Sequence, residues 1–293
     1  MGPNDLVLHA GTLRNASFLE LCDAAVAGGF AAITLYPTHV RRARAAGSSF
    51  SEMRNALRER GLALADLDPL LNWLPGDNFP NELNATEAEH YETAEALGGR
   101  SLNVAQAFRP KVDIDEAAEA LAGVCDRAWE HGLLITLEYL PWAGIPDAAT
   151  ARAIVERCAR PNATLMIDSW HTFRGPTTEE QLRALPRGLI GSVQINDAPR
   201  EPVGDLLTET TTARLLPGEG AIPLVRWLRL LDAIGSRAPI GVEVFSAALD
   251  RLPPNEVGRR CGEAARRVLA EARAEASGAS PRAASRRRAK GAR

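Results

Sequence analysis

Residues Leu133–Asp168 have the sequence LLITLEYLPWAGIPDAATARAIVERCARPNATLMID. Two short apolar runs, which end in Glu138 and Asp168, flank a segment with the spacing of an amphipathic helix. Strands that are apolar at almost every position are typical of parallel strands covered on both faces by helices. This stretch therefore predicts a βαβ unit with two parallel strands.

A strand-like run followed by a helical segment recurs eight times along the 293 residues. The predicted strands are Asp5–His9, Ala31–Tyr36, Ala63–Leu67, Ser101–Ala105, Leu133–Glu138, Thr164–Asp168, Leu189–Ile195 and Ile240–Val244. The predicted helices are Ser17–Gly28, Ser48–Arg60, Ala85–Leu97, Asp113–His131, Pro146–Cys158, Thr178–Leu185, Leu224–Ile234 and Pro254–Ala276. Eight such units favour an α/β fold of the (β/α)8 TIM barrel type over an open doubly wound sheet. No GxGxxG motif follows the first strand and no GxxxxGK[ST] motif occurs, which argues against the usual dinucleotide and P-loop sites.

Composition indicates a globular protein, with 45% hydrophobic and 24% charged residues. The longest apolar runs fall far short of the roughly 20 residues that span a bilayer. Residues Met1–Asp5 lead directly into a strand-like run, so we expect no signal peptide and a cytoplasmic enzyme. The four cysteines are far apart and form no CxxC pair, which argues for reduced core residues and against a thiolate zinc site.

Charge divides the chain into two parts. We expect residues 1–276 to form a single catalytic domain and residues 277–293, which hold six basic residues and no acid, to form a disordered basic tail. Because the net charge of the whole chain is −3, the part before this tail carries about −9. An acidic body argues against nucleic acid as a partner, since duplex binding needs a basic face. We expect a small-molecule substrate and no membrane partner, with a homo-oligomer left open.

Two long segments interrupt the regular alternation of strands and helices. Residues Asp68–Asn84 and Asn196–Ile222 are rich in proline, glycine and polar residues, and both follow predicted strands. In a TIM barrel the loops after the strands build the active site. We therefore predict that both segments are lids over that site.

Polar residues stand at the ends of the last four predicted strands: Glu138, Asp168, Gln194 and Glu243. One such acid alone is more often a helix cap or a partner of an arginine, but three acids and one amide in consecutive strands would converge at the mouth of the barrel. A carboxylate at the end of an apolar run is rarely buried unless it is paired or binds metal. Hard oxygen ligands of this kind suit Mn2+ or Mg2+ better than zinc, and Co2+ is a further candidate.

This run, from Glu138 to Glu243, resembles the xylose isomerase-like sugar phosphate isomerase/epimerase superfamily, and the resemblance covers residues 5–275. It implies a divalent metal held by residues of strands five to eight. It also implies a substrate-binding role for His171, three residues after the ligand Asp168. The third ligand is often histidine in that superfamily, and Gln194 at this place is similar to hydroxypyruvate isomerases and some dehydroshikimate dehydratases.

Three motifs are similar to bacterial 3-dehydroshikimate dehydratases: QINDAP at Gln194–Pro199, Arg214 before PGEG, and EVFS at Glu243–Ser246. The chain differs from those enzymes at two places. Residues 209–213 read ETTTA where the dehydratases have a Ser-Arg-His segment, and DPLLNWLPG stands where their third loop has an arginine.

Four residues are candidate substrate contacts: His171, Arg214, His9 and Trp170. His9 ends the first strand and is alternatively a core histidine. Arg214 could hold a substrate oxyanion or phosphate, or could pair with Glu219 or Asp197. Together with Trp73 and Trp142, Trp170 would form an apolar wall, although core packing explains these tryptophans nearly as well.

The chemistry expected of such a site is proton transfer beside a carbonyl group. A metal that binds a carbonyl and an adjacent hydroxyl stabilises the enediolate, and Glu138 and Glu243 would move protons as base and acid. The outcome would be isomerisation or epimerisation of a sugar-like α-hydroxycarbonyl compound, or dehydration of the dehydroshikimate dehydratase type. Two further hypotheses are a DNA-repair endonuclease, which would need a trinuclear zinc site rich in histidine, and a barrel that only binds a ligand.

Overall fold

A closed barrel of eight parallel strands forms the centre of the computed structural model, which describes residues 1–80 and 82–274. The strands pair in chain order, and β1 pairs with β8 to close the barrel. This confirms the predicted (β/α)8 TIM barrel. The strands are β1 (Leu6–Leu8), β2 (Ala32–Leu35), β3 (Ala63–Leu70), β4 (Ser101–Ala105), β5 (Leu134–Glu138), β6 (Ala163–Asp168), β7 (Ile190–Ile195) and β8 (Ile240–Val242).

Helices cover the outside of the barrel and fill parts of its loops. They are α1 (Phe18–Ala27), α2 (Pro37–Ala45), α3 (Phe50–Glu59), α4 (Glu87–Leu97), α5 (Ile114–Glu130), α6 (Ala148–Cys158), α7 (Ser169–Arg174), α8 (Glu179–Arg183), α9 (Leu206–Thr212), α10 (Leu224–Ile234) and α11 (Pro254–Ala274). None of these helices in the described residues combines the length and the apolar character needed to cross a bilayer.

The segments predicted as lids contain regular structure that the sequence did not reveal. Strand β3 continues through Leu70, which pairs with Val104 of β4, and the buried side chain of Asp68 accepts a hydrogen bond from Asn103. The predicted loop Asn196–Ile222 contains α9, which begins at the cap residue Asp205. Neither segment is therefore a continuous loop, and the predicted end of β3 at Leu67 was wrong.

Helix α2 was also not predicted from the sequence. Its sequence PTHVRRARA has too few apolar residues for a helical period, although Pro37 occupies a first-turn position that favours helices. The predicted tail, residues 277–293, lies outside the described residues, and the domain boundary at residue 276 stays a prediction.

The register of the strands determines which side chains share a level at the mouth of the barrel. The Cα of Asp168 is level with that of Gln194, and Gln194 is in turn level with Gly241, two residues before Glu243. Glu138 is level with Met166, two residues before Asp168. The carboxyl ends of β5 to β8 therefore bring these polar side chains to one side of the mouth.

Close packing of α1 against α11 holds the last helix against the start of the barrel. A Cβ atom on Gly258 would lie 2.0 Å from the carbonyl oxygen of Ala24, and one on Gly262 would lie 2.0 Å from that of Gly28. A backbone carbonyl group cannot move aside as the end of a flexible side chain can. Glycine is therefore required at both positions.

We expect Gly258→Ala to lower the free energy of unfolding by about 1–3 kcal/mol, because the added methyl group pushes α11 away from α1. Urea unfolding followed by circular dichroism measures the change. Gly188→Ala is the matched control, since no atom lies within 4 Å of its added Cβ. Equal stability of the two variants would contradict the expected clash.

Candidate metal centre and active site

The four side chains predicted as metal ligands lie together at the mouth of the barrel. Glu138 and Asp168 are the last residues of β5 and β6, Gln194 lies in β7, and Glu243 directly follows β8. Each is at most 7% exposed. Arg214 Nη1 joins two of them, at 3.1 Å from Asp168 Oδ2 and 3.4 Å from Glu243 Oε2. Metal binding by this set stays a prediction.

The amide of Gln194 connects the carboxylates to β1. One of its terminal atoms lies 3.1 Å from Asp168 Oδ2 and 3.3 Å from Glu138 Oε1, and the other lies 3.0 Å from His9 Nδ1. Without a metal ion, the two carboxylates favour the amide nitrogen as the atom that faces them, because the nitrogen can donate a hydrogen bond to both. A cation between the carboxylates favours the amide oxygen there instead. The Gln194 amide is therefore compatible with a bound metal ion.

Two groups of three buried side chains also have the spacing of metal ligands. One consists of His9, Asp68 and Glu243, and the other of Glu138, Asp168 and His171, with ligand atoms within 4.8 Å of one another in each group. Most of these atoms are carboxylate oxygens, which are the donors that Mn2+ and Mg2+ prefer. The donor set therefore fits a hard divalent cation.

Arg214 is a buried cation at the centre of the site. Its Nη1 donates to Asp168 and Glu243, its Nε and Nη2 donate to Thr210 Oγ1 at 3.2 and 2.7 Å, and its Nη2 lies 3.5 Å from His171 Nε2. Arg214 bonds neither Glu219 nor Asp197, the alternative partners considered from the sequence. The guanidinium balances part of the negative charge of the carboxylates.

Glu138 and Glu243 differ in how firmly they are held. Asn103 Nδ2 donates to Glu138 Oε2 at 2.7 Å, and His171 Nε2 lies 3.2 Å from Glu138 Oε1. Glu243 has longer contacts, 3.5 Å to the hydroxyl of Tyr36 and 3.4 Å to Arg214. Glu138 thus accepts one short hydrogen bond, whereas the contacts of Glu243 are longer.

Burial and neighbouring charges shift the pKa of several groups in the site. Burial raises the pKa of Glu243 well above its usual value despite the nearby Arg214, and burial together with the charge of Glu138 raises the pKa of Asp68 to about 8. Burial opposes ionisation of Asp168 as well, but Arg214 and His171 hold its pKa below the usual value. Burial thus favours the protonated forms of Glu243 and Asp68, whereas Arg214 and His171 favour the ionised form of Asp168.

The candidate substrate contacts differ in position. His171 and Arg214 line a cavity of about 170 Å³ above the carboxylates, as does Trp142. Trp170 is fully buried, with its indole donating to Glu209 at 2.9 Å and Arg214 packed over its ring. His9 is fully buried behind Gln194. Neither Trp170 nor His9 lines this cavity, so their positions favour support of Arg214 and Gln194 over direct substrate contact.

Three residues of the site were not predicted from the sequence. Asp68 and Tyr36 line the cavity, and Asn103 joins Asp68 to Glu138 through bonds of 2.9 and 2.7 Å. The signal for Asp68 was present as an acid inside an apolar run, but the following proline indicated the end of a strand. Asn103 and Tyr36 stand in or beside strands without a motif that marks them.

Glu209 fixes α9 over the cavity. It is 1% exposed and accepts hydrogen bonds from the indole of Trp170, from Arg174 Nε at 2.7 Å and from the backbone amide of Val203 at 2.7 Å. The next residue, Thr210, holds Arg214. The buried Glu209 therefore sets the position of the guanidinium through α9.

We expect Glu209→Gln to lower the free energy of unfolding by about 1–3 kcal/mol, because the side chain of Arg174 would lose its charged partner. Chemical denaturation gives the value. Glu201→Gln, an exposed change in the same loop, is the control. A Glu209→Gln variant as stable as this control would show that the ion pair contributes nothing.

Comparisons with known proteins agree with the geometry of the barrel. The sequence model of the xylose isomerase-like TIM barrel family matches residues 22–267. A 3-dehydroshikimate dehydratase of Pseudomonas aeruginosa is 31% identical over 137 residues, which are 46% of this chain and 22% of that protein. An inosose isomerase of Bacillus velezensis is 29% identical over 157 residues, which are 53% of this chain and 55% of that protein. The matches thus span less than two thirds of these relatives' own length.

Solved structures share the fold at low sequence identity. A crystal structure of an IolI protein with a bound zinc atom has a TM-score of 0.79 and 23% identity, and covers 91% of this chain and 98% of that one. A D-allulose 3-epimerase of Methylomonas sp. in complex with D-allulose has a TM-score of 0.68 and 17% identity, and covers 91% and 98%. At these identities the likeness shows the fold alone.

Proposed function

Because the chain belongs to the xylose isomerase-like TIM barrel family, we propose that it is a divalent-metal-dependent isomerase or epimerase of a sugar-like α-hydroxycarbonyl compound. The observation that carries this proposal is the convergence of Glu138, Asp168, Gln194 and Glu243, with one atom of the Gln194 amide facing two carboxylates. The names of the inosose isomerases among its relatives support the same class of reaction.

Glu138, Asp168, Gln194 and Glu243 would hold the metal, which we propose to be Mn2+ or Mg2+. When bound, the ion supplies a Lewis acid that polarises the carbonyl group of the substrate and lowers the barrier to removal of the neighbouring proton. Asp68 and His171, which belong to the two groups with ligand spacing, lie beside this set.

The protein side chains would bind the substrate and move its protons. Glu138 and Glu243 come from β5 and the end of β8, so they reach the reacting carbons from different sides of the cavity. One would abstract a proton and the other would return one, to the same carbon in epimerisation or to the next carbon in isomerisation. His171, which contacts Glu138 Oε1, would orient that carboxylate, and Arg214 would orient Glu243.

Two measurements on the purified full chain test this proposal. Elemental analysis should find about one equivalent of divalent metal, and solvent deuterium should enter ketoses or inososes at the carbon beside the carbonyl group. Removal of the metal with a chelator should abolish exchange, and Mn2+ or Mg2+ should restore it. A metal-free protein that exchanges at an undiminished rate would refute metal dependence.

A lyase of the 3-dehydroshikimate dehydratase type is the second candidate, favoured by the 31% identity to the dehydratase of P. aeruginosa. The same proton abstraction would then be followed by loss of a β-hydroxyl group. The appearance of a conjugated product absorbing in the ultraviolet, together with loss of the hydroxyl, would distinguish this reaction from isomerisation.

A further inference from the structure

The cavity above the carboxylates is polar where the strands end and apolar where the loops surround it. The polar lining consists of three acids, two basic residues and three hydroxyl groups: Asp68, Glu138, Glu243, His171, Arg214, Tyr36, Thr210 and Thr211. The apolar part comes from the loops after β3, β5 and β8 and from α9: Leu71, Leu140, Trp142, Leu207 and Phe245. A substrate in this cavity would therefore have its reacting end among polar groups and its far end among hydrocarbon and aromatic side chains.

The only arginine or lysine among the described residues lining this cavity is fully engaged by the protein. Arg214 is 2% exposed, and its three nitrogens contact Asp168, Glu243, Thr210 and His171. On the loop after β4, Arg109 is bound by Asp77 at 2.6 Å and does not line the cavity. Among the residues that the structure describes, the cavity thus offers no uncommitted arginine or lysine for a phosphate or a carboxylate of a substrate.

The charge balance of the cavity also opposes an anionic substrate. Asp68, Glu138, Asp168 and Glu243 together carry four negative charges when ionised, against one positive charge on Arg214. A divalent cation would offset two of these charges, and Arg214 would remain engaged by Asp168 and Glu243. At short range in a buried site, a negatively charged substituent would be repelled or would lose its hydration without compensation.

The apolar walls oppose hydroxyl groups at the far end of the substrate. A hydroxyl placed against Leu71, Trp142 or Phe245 would lose hydrogen bonds to water and gain none from these side chains. One such loss weakens binding by roughly tenfold. A methyl or methylene group at the same place would instead gain from burial.

We infer that the site selects an uncharged α-hydroxycarbonyl compound with a deoxygenated far end, and rejects sugar phosphates and carboxylates. This inference rests on the proposed function, because it takes the acidic cluster as the place where the carbonyl end binds. It concerns substrate selection, so binding can test it separately from turnover.

The test compares a ketohexose with its 6-deoxy analogue and its 6-phosphate, which differ from it only at carbon 6. The comparison is repeated for each of the four D-ketohexoses. Binding to the Mn2+-loaded full chain is measured by calorimetry, and solvent deuterium exchange is measured on the same samples. We expect the 6-deoxy compound to bind about tenfold more tightly than its parent, and the phosphate at least tenfold more weakly than its parent.

Two variants at one position of the cavity wall, one positively charged and one neutral, test the role of charge. Leu207 lines the cavity from α9 and is 52% exposed, so its replacement costs little packing. Leu207→Arg should improve binding of the 6-phosphate by at least tenfold, whereas Leu207→Gln, of similar size and uncharged, should not.

The outcomes separate the two proposals. Tighter binding of the phosphate than of the parent by the unaltered chain, or binding of none of the compounds, would overturn the inference on selectivity. The expected order of binding without any deuterium exchange would support selectivity and count against the isomerase. Exchange with the opposite order of binding would support the isomerase and refute the selectivity.

Discussion

Replacing Glu138 or Glu243 by glutamine should lower turnover by at least about 10²–10⁴-fold in metal-loaded protein, which is the usual contribution of a positioned proton-transfer group. Glutamine retains an oxygen that can bind metal but cannot accept the proton. Metal content is measured first, by elemental analysis, so that loss of the ion is not mistaken for loss of the base. Glu219→Gln, an exposed change in the loop after β7, is the matched control.

Deuterium exchange in these variants distinguishes the roles of the two acids. The variant without the abstracting group should show no exchange at the carbon beside the carbonyl. The variant without the returning group should still exchange that proton while forming no product. If both metal-loaded variants turn over at the rate of the unaltered chain, neither glutamate is a catalytic residue.

Asp168→Asn should weaken metal binding by at least about a hundredfold. Removal of a side chain that only hydrogen-bonds to a metal ligand usually lowers metal affinity by about 10–100-fold, and loss of the charge of a ligand itself should cost no less. The fold should persist. Asp168 Oδ1 accepts a hydrogen bond from the backbone amide of His171 at 2.9 Å at the start of α7, and an asparagine oxygen can accept the same bond. Metal titration by calorimetry measures the affinity, and circular dichroism measures the fold.

Asp147→Asn is the control for this variant, since Asp147 caps α6 in the same way through the amide of Thr150. It should leave metal affinity unchanged. If Asp168→Asn binds metal as tightly as Asp147→Asn does, the proposed ligand set is wrong.

The sequence was sufficient to predict the barrel because its strands are short apolar runs whose positions depend on local pattern. The convergence of Glu138, Asp168, Gln194 and Glu243 followed from the fold, since parallel strands place their carboxyl ends on one side of the barrel. Local sequence pattern was thus sufficient wherever the position of a residue depended only on the strand that carries it.

Contacts between distant parts of the chain could not be predicted in this way. Asp68 appeared to begin a loop because a proline follows it, whereas the pairing of Leu70 with Val104 on β4 shows that β3 continues. The sequence left Arg214 open between a substrate clamp and a partner of Glu219 or Asp197. Its observed partners Asp168 and Glu243 lie 46 and 29 residues away along the chain. Trp170 followed a strand end as a contact residue would, yet Glu209 on α9 binds its indole inside the protein.

The position of His9 beside the Gln194 amide links metal binding to the tautomer of a histidine. With the amide oxygen toward His9, the imidazole must carry its proton on Nδ1; with the amide nitrogen toward His9, Nδ1 must accept and the proton resides on Nε2. Burial lowers the pKa of His9, so the ring stays neutral and has a single proton to place. An ion bound among the carboxylates would therefore move that proton across the ring, and the nitrogen chemical shifts of His9 would report occupancy of the site without any substrate.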